Sequence, residues 1–239
     1  MQERKRMKTV ILCGGKGSRM EEATEQLPKP LIEIGRKPVL WHIMKIYASQ
    51  GFNEFVLCLG YKGDKIKEYF EKDNGDKWKI DFVDTGESAL KSERIKKVQK
   101  FVDGENFFLA YGDDLADVDL KKLLQMHEKN KMIATVTAVK IVSPFGILET
   151  NAKDEIVDFR EKPTLDVWMN GGFMALSSKI FDLLQLGELE EEVFRKLVEE
   201  RKIQAYKHKG SWKTMNTLKD NIELNELWNA DRAFWKIWK

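Results

Sequence analysis

A glycine-rich segment near the start of the chain is the first feature that could do chemistry. Residues 12–19 read L-C-G-G-K-G-S-R, with three glycines in four positions directly after an apolar run. Because glycine has no Cβ atom, several backbone N–H groups can converge there on an anion. The segment is neither a Walker loop nor the dinucleotide fingerprint, since it lacks both spacings. On the glycines alone, an anion-binding loop and an ordinary glycine turn are equally good interpretations.

Two cations that follow the glycines favour a phosphate ligand. Arg19 offers a planar fork for two oxygen atoms, and Lys29 offers a compact charge that can follow a moving phosphate. Pro28 and Pro30 restrict the backbone on both sides of Lys29. Either cation alone would be read as a surface residue. Together with the glycines they predict a site for a nucleoside triphosphate.

A carboxylate follows another apolar run. Asp113 comes just after the predicted strand 106–111, and open α/β sheets place their ligands at the carboxyl ends of strands. One carboxylate together with phosphate oxygens and waters is a usual way to hold Mg²⁺. Taken alone, Asp113 would be interpreted as an Asx-turn residue after Gly112. Together with the phosphate-binding pattern earlier in the chain, it is predicted to bind the metal.

Strands that alternate with helices must position these residues. Strands are predicted over 9–13, 54–59, 79–83, 106–111 and 132–139, the first two of them buried. Helices are predicted between them, one from Pro38 to a stop at Gly51 and the others over 64–70 and 119–129. This alternation predicts an α/β fold, namely a Rossmann-like, doubly wound mixed sheet that is mostly parallel and has helices on both faces. After about residue 140 the strands become shorter (146–149, 156–160, 172–176 and 203–207). Helices are predicted there over 179–185 and 188–201, and a last one begins at Thr217 with Asp220 as its capping partner.

The overall composition argues against several other classes of protein. Lys plus Arg number 41 against 39 for Asp plus Glu, so the formal charge of +2 gives no reason to expect a nucleic-acid or membrane partner. No apolar stretch approaches the roughly 18–20 residues of a membrane span, and the basic start lacks a signal peptide's apolar region. Cys13 and Cys58 lie in apolar runs, which favours buried reduced thiols over a disulfide or metal pair. We therefore expect a cytoplasmic protein.

The glycine segment with Arg19, followed by Pro28-Lys29-Pro30, resembles the signature of the sugar-1-phosphate nucleotidyltransferases. Within that family the resemblance is strongest to the glucose-1-phosphate cytidylyltransferases, and it runs nearly end to end. Further matched blocks follow in order: Lys37 to Met44, Cys58 to Gly63, Asp84 to Gly86, Tyr111 to Asp113, Thr135 to Ala138, Glu161 to Pro163, Asn170 to Phe173, Lys207 to Trp212 and the tryptophan-rich tail.

The resemblance implies that CTP is joined to a sugar 1-phosphate, foremost glucose 1-phosphate, to give a CDP-sugar and pyrophosphate with the help of Mg²⁺. Because the chain shows no repeat and no low-complexity linker, we predict one domain over residues 1–239, with a nucleotide-binding lobe (1–140) and an acceptor-binding lobe with the tail (141–239). The resemblance also implies a homo-oligomer, for which the aromatic tail is a further reason.

The resemblance assigns roles to individual residues as well. Arg19 would bind the departing pyrophosphate, Lys29 the α-phosphate, and Asp113 with Asn216 the metal. The other residues implied in nucleotide binding are Leu12, Cys13, Gly14, Gly15, Gly17, Ser18, Ser92, Arg94 and Gly112. Those implied in acceptor binding are Glu161, Lys162, Asn170 and Gly171.

The chain departs from the family pattern at three places. Asn216 stands where the family usually has an aspartate, and its uncharged amide predicts weaker metal binding. Lys91 to Arg94 replace the usual Thr-Gly-Gly-Arg, and the segment between Phe70 and Asp84 is shorter. These departures leave open the choice of CTP over UTP or dTTP, a different phosphorylated acceptor (including a non-sugar phosphate), and a non-catalytic subunit that senses nucleotide sugars.

Overall fold

The computed structural model describes residues 7–17, 20, 26–73, 76–102, 104 and 106–238. Its strands are β1 (Thr9–Leu12), β2 (Glu33–Ile34), β3 (Lys37–Pro38), β4 (Glu54–Leu59), β5 (Lys79–Asp84), β6 (Phe107–Tyr111), β7 (Asp114–Ala116), β8 (Ala134–Val142), β9 (Ile147–Thr150), β10 (Ile156–Arg160), β11 (Thr164–Leu176), β12 (Ile203–Lys207) and β13 (Trp212–Thr214). Its α-helices are α1 (Val39–Ser49), α2 (Gly63–Lys72), α3 (Lys91–Lys97), α4 (Gln99–Val102), α5 (Leu120–Asn130), α6 (Phe194–Glu199) and α7 (Leu218–Asn229).

Seven strands form one mixed central sheet in the order β12-β8-β11-β6-β1-β4-β5. Strands β6, β1, β4 and β5 run parallel to one another, β12 runs parallel to β8, and β11 is antiparallel to both of its neighbours. This arrangement confirms the predicted mixed, mostly parallel sheet. The predicted lobe boundary at residue 140 lies inside β8, and the second half of the chain supplies β11 and β12 to the same sheet.

Both faces of the sheet are covered by helices, as a doubly wound fold requires. On β1, Ile11 packs into a core on one face with α1, whereas Val10 packs on the other face with α3 and α6. Alternate residues of a strand point to opposite faces, so a strand buried on both sides reads as continuously apolar. That is the pattern from which these strands were predicted.

The largest differences from the sequence prediction lie in short helices. Helix α3 falls where no element was predicted, and Glu93 begins it by accepting a hydrogen bond from the Leu90 backbone N–H (2.8 Å). The predicted helix 179–185 consists instead of two 3₁₀ segments that stop at Gly187, whose φ of 134° is not helical. The predicted helix 188–201 starts with a π-helical turn, Leu189–Val193, before α6.

The C-terminal tail packs on its own chain around His42. Trp235 is fully buried, and its Nε1 donates to His42 Nδ1 (3.3 Å), while His42 Nε2 donates to the Ile34 carbonyl (2.8 Å). Trp228 also packs edge-on against the His42 ring. Because these rings are used within the chain, the tail gives no argument for a subunit contact. No helix in the described ranges is long and apolar enough to cross a membrane.

Acid should destabilise the protein through His42. Burial lowers the pKa of His42 to about 4, although the hydrogen bond to the Ile34 carbonyl acts in the opposite direction. An unfolded histidine has a pKa near 6.5, so below that pH the unfolded chain gains a proton that the folded chain does not. We expect a loss of about 3 kcal/mol in the free energy of unfolding between pH 6.5 and 4 from this residue.

Urea denaturation at several pH values measures this effect. The control is His42→Gln, which cannot titrate and should lose less stability over the same interval. His127, whose pKa burial also lowers to about 4, is kept in both proteins, so its contribution cancels. Equal pH slopes for the parent and the variant would contradict the assignment to His42.

Candidate active site

A cavity of about 610 Å³ opens at the carboxyl ends of β1 and β6. It is lined by residues from the glycine segment, from the start of α3, from β11 and from β13. The lining residues are Leu12, Cys13, Gly14, Gly15, Gly17, Lys29, Pro30, Ala89, Leu90, Lys91, Arg94, Tyr111, Gly112, Asp113, Asp114, Asn170, Glu188, Trp212, Thr214 and Asn216. Most of the residues predicted from the sequence therefore meet in one place.

Lys29, Asp113 and Asn216 form a cluster on one wall of the cavity. The Lys29 Nζ donates to Asp113 Oδ2 (2.5 Å) and to Asn216 Oδ1 (2.9 Å). Lys29 lies in a 3₁₀ turn, and its side chain is only 13% exposed. Asp113 follows β6, and Asn216 follows β13, which pairs with β7. The predicted phosphate cation and the two predicted metal ligands are thus in direct contact.

Glycine is required at two positions of the segment that follows β1, for different reasons. Gly17 has a positive φ of 67°, a conformation that glycine adopts without a steric penalty. Gly14 is needed for close packing instead, because a Cβ atom there would lie 2.2 Å from Arg94 Nη1. Gly14, Gly15 and Gly17 all line the cavity.

Cys13 lies at the base of this loop. Its thiol is buried and hydrogen-bonds to the Cys58 carbonyl (3.4 Å). Burial raises the pKa of Cys13 to about 12, so the thiol is uncharged at neutral pH. Both cysteines are free and buried. A neutral thiol adds no negative charge near the place predicted for the phosphates.

Arg94 supports the glycine loop from behind. Its Nη2 donates to the carbonyls of Gly14 (3.2 Å) and Glu87 (3.0 Å), and its Nη1 donates to Thr85 Oγ1 (2.8 Å) and the Leu59 carbonyl (3.3 Å). The side chain is buried, and no carboxylate of the described residues pairs with it. Although Arg94 reaches the cavity wall, its hydrogen bonds are to the protein and join the loop to the ends of β4 and β5.

Ser92, predicted to bind nucleotide, is buried on α3 and does not line the cavity. The neighbouring Glu93 caps α3, so the residues that replace two family glycines build the start of a helix. Backbone that would be flexible with two glycines is here held by helical hydrogen bonds. The first residue of this helix, Lys91, faces the cavity.

A hydrogen-bonded chain runs from Asn170 through Tyr111, both in the cavity lining, to Glu190. Asn170 Nδ2 donates to the Tyr111 hydroxyl (3.2 Å), and the Tyr111 hydroxyl donates to Glu190. Lys91 Nζ donates to the same Glu190 carboxylate (2.5 Å) and lies 4.6 Å from the centre of the Tyr111 ring. Burial, with the charge of Glu190, raises the pKa of Tyr111, which stays protonated. These contacts fix the orientation of Asn170, the predicted acceptor-binding residue.

Sequence reasoning missed Lys91 and Asp114, which line the cavity, and Glu190, which accepts hydrogen bonds from Lys91 and Tyr111. The π-helical turn carries Glu190 to Tyr111, and such turns are common at functional sites. Asp114 is buried at the start of β7, and burial, followed by the charge of Asp113, raises its pKa. A Cβ atom on Gly172, whose φ is +77°, would lie 2.0 Å from Asp114 Oδ2. The only sequence signal for these positions is the charge of Lys91 and Glu190, to which the sequence analysis gives no role.

Three more predicted residues, all within the described part of the chain, do not line the cavity. Glu161 and Lys162 are exposed beyond the β9–β10 hairpin and do not line the cavity. Gly171 is buried, and its carbonyl accepts a hydrogen bond from Trp212 Nε1 (2.9 Å). Ser18 and Arg19 lie outside the described residues. Their predicted roles therefore stay predictions.

Comparisons with known proteins place this chain in a family. The model of the nucleotidyl transferase family matches residues 8–230. A protein of Bacillus subtilis (strain 168) named "Probable glucose-1-phosphate cytidylyltransferase" is 42% identical, with 97% of this chain and all of that protein covered.

The chain belongs to the sugar-1-phosphate nucleotidyltransferase family.

Two further comparisons agree with this membership. The glucose-1-phosphate cytidylyltransferase of Salmonella typhimurium (strain LT2) is 38% identical, covering 98% of this chain and the whole of that enzyme. The crystal structure of HddC from Yersinia pseudotuberculosis superposes with a TM-score of 0.73 at 24% identity, covering 93% of this chain and 99% of the other. At that identity the structural match shows the fold alone. In this nucleotidyltransferase, Asp113 and Lys29 meet at the carboxyl edge of the shared sheet.

Proposed function

We propose that this chain transfers the cytidylyl group of CTP to glucose 1-phosphate, giving CDP-glucose and pyrophosphate. The observation that carries the proposal is similarity to glucose-1-phosphate cytidylyltransferases over nearly the whole of this chain and the whole of the relatives. The cavity supports it, because its walls combine a glycine loop, cations and hydrogen-bonding groups of the kinds that phosphates and hydroxyls need.

In the proposed reaction a phosphate oxygen of the acceptor attacks the α-phosphorus of CTP. A new P–O bond forms, the bond to the bridging oxygen of the β-phosphate breaks, and that electron pair leaves with pyrophosphate. The protein positions two anions and neutralises the charge that shifts between them. Lys29 serves the α-phosphate, and the glycine loop receives the nucleotide. Asn170, oriented by Tyr111, contacts the acceptor.

Asp113 and Asn216 are the residues that would hold Mg²⁺. Both offer oxygen, the ligand type that Mg²⁺ prefers, and both are directed at one point, the Lys29 ammonium. Among the described residues no group of three or more His, Cys, Asp or Glu is arranged for a metal. The protein therefore offers two oxygen ligands, and substrate phosphates complete such a site. When bound, Mg²⁺ supplies positive charge to the phosphate oxygens.

Location and assembly are part of the proposal. Two buried free thiols suit the reducing cytoplasm.

Homo-oligomer formation is supported by large apolar side chains exposed on and near the β9–β10 hairpin, including Phe145 (73%), Ile156 (61%) and Phe159 (60%). Light scattering of the purified chain measures the assembly, and a monomer at all concentrations would contradict it.

Pyrophosphate release tests the proposed reaction. The purified chain is given Mg²⁺ and CTP, UTP, dTTP, GTP or ATP, each with and without glucose 1-phosphate, and products are identified by mass spectrometry. We expect release with CTP that depends on glucose 1-phosphate, together with a CDP-glucose product. Release only with another phosphorylated acceptor would overturn the substrate but keep the chemistry. Nucleotide binding without any release would instead favour the sensing subunit.

A further inference from the structure

The place between the two predicted metal ligands already holds a cation of the protein itself. Lys29 Nζ lies 2.5 Å from Asp113 Oδ2 and 2.9 Å from Asn216 Oδ1. All three side chains lie in the cavity wall, and those of Lys29 and Asp113 are 13% and 26% exposed. At such short range and partial burial, the ion pair is less screened than one on the open surface.

Asn216 leaves its cluster with Lys29 and Asp113 without net charge. The pair of Lys29 and Asp113 carries no net charge, and the Asn216 amide adds none. An aspartate at 216, the usual residue of the family, would leave one negative charge that Lys29 does not cancel. In this chain, a divalent cation that approaches without nucleotide meets a carboxylate already paired with an ammonium group.

We propose that in the nucleotide-free protein the Lys29 ammonium takes the place of the divalent cation. Asp113 and Asn216 then accept the metal only when a nucleotide phosphate draws Lys29 away. The turn that carries Lys29 suits this, because only the side chain has to move while Pro28 and Pro30 hold the backbone. The inference rests on the proposed metal role of Asp113 and gives Lys29 a second task besides the α-phosphate. Metal and nucleotide would consequently enter together.

Metal binding without turnover tests this proposal. Mn²⁺ is titrated into the nucleotide-free protein, and free Mn²⁺ is followed by electron paramagnetic resonance. Lys29→Met, which removes the charge and keeps the length, should bind Mn²⁺ at least about tenfold more tightly than the parent. Lys140→Met is the control, since Lys140 pairs with the exposed Asp166 and lies outside the cavity lining. Equal affinities for the parent and Lys29→Met would overturn the proposal.

Two further arms separate the possible reasons for failure. Adding Asp113→Asn to Lys29→Met should abolish the gain in Mn²⁺ affinity. Asn216→Asp alone should bind Mn²⁺ more tightly than the parent does. A gain that survives Asp113→Asn would place the metal elsewhere and overturn the inference. With CTP but no acceptor, the parent should bind Mn²⁺ saturably beyond the amount that CTP alone removes from solution, which needs no variant to fold. Pyrophosphate release by the parent is scored separately, so failure here is distinct from failure of the proposed function.

Discussion

Asp113→Asn should lower kcat for CTP and glucose 1-phosphate by about 10²–10³-fold, the range seen when one preorganised electrostatic group is lost. The side chain lies at the carboxyl edge of the sheet and faces the same point as Asn216, and the shape of the residue is kept in the variant. What the change removes is the negative charge that pairs with Lys29 and that would hold the metal. We expect a fold indistinguishable from that of the parent, checked by circular dichroism and urea denaturation.

The matched control for this change is Asp166→Asn. Asp166 is 95% exposed and pairs only with Lys140 among the described residues, so its loss should leave kcat within about twofold, as surface substitutions do. Initial rates of pyrophosphate release give kcat and KM for each protein. An Asp113→Asn protein that keeps more than roughly a tenth of the parental kcat would remove Asp113 from the reacting site.

Arg94→Lys should raise KM for CTP by at least about tenfold while leaving KM for the acceptor near its parental value. Lysine keeps the positive charge, but its single ammonium cannot satisfy four acceptors that the guanidinium fork reaches. Each buried acceptor left without a donor costs about 1–3 kcal/mol, so the free energy of unfolding should fall as well. The nucleotide side is affected because the Gly14 carbonyl is one of those acceptors.

The split between the two KM values distinguishes a loop-positioning role from general destabilisation. Arg36→Lys, at an exposed position, is the control and should change neither value. A second variant, Arg94→Ala, should regain affinity for CTP when guanidinium ion is added at low concentration. Equal changes in both KM values, or no rescue, would show that Arg94 does not act through the glycine loop.

Much of the central sheet was predictable because its signals are local. The apolar runs that precede the glycine loop and Asp113 became β1 and β6, and Thr217 caps α7 through Asp220 as the spacing predicts. Helix α3 was missed because it has only seven residues. Its main apolar residue is Ile95, which packs against residues of other elements. A helix that short is stabilised by packing and not by propensity, so its sequence carries little signal.

The candidate site also combines residues that local sequence predicts with contacts that only the fold creates. The glycine loop, Lys29 and Asp113 could be chosen from residue type and local spacing. The exposed position of Glu161 and Lys162, and the support that Arg94 gives to the loop, depend on contacts between distant segments. The contact of Glu190 with Tyr111 depends on a π-helical turn, which the run of glutamates in the sequence does not predict.

The sequence by itself determined the family and the kinds of group available for phosphate chemistry, because these depend on motifs a few residues long. Only the tertiary structure decided that Lys29 contacts Asp113 and Asn216, which lie 84 and 187 positions away along the chain. Such meetings follow from strand order and from the packing of the sheet, which bring carboxyl ends of distant strands to one edge. No local pattern encodes them, and for that reason the internal cation at the predicted metal position became apparent only in the folded chain.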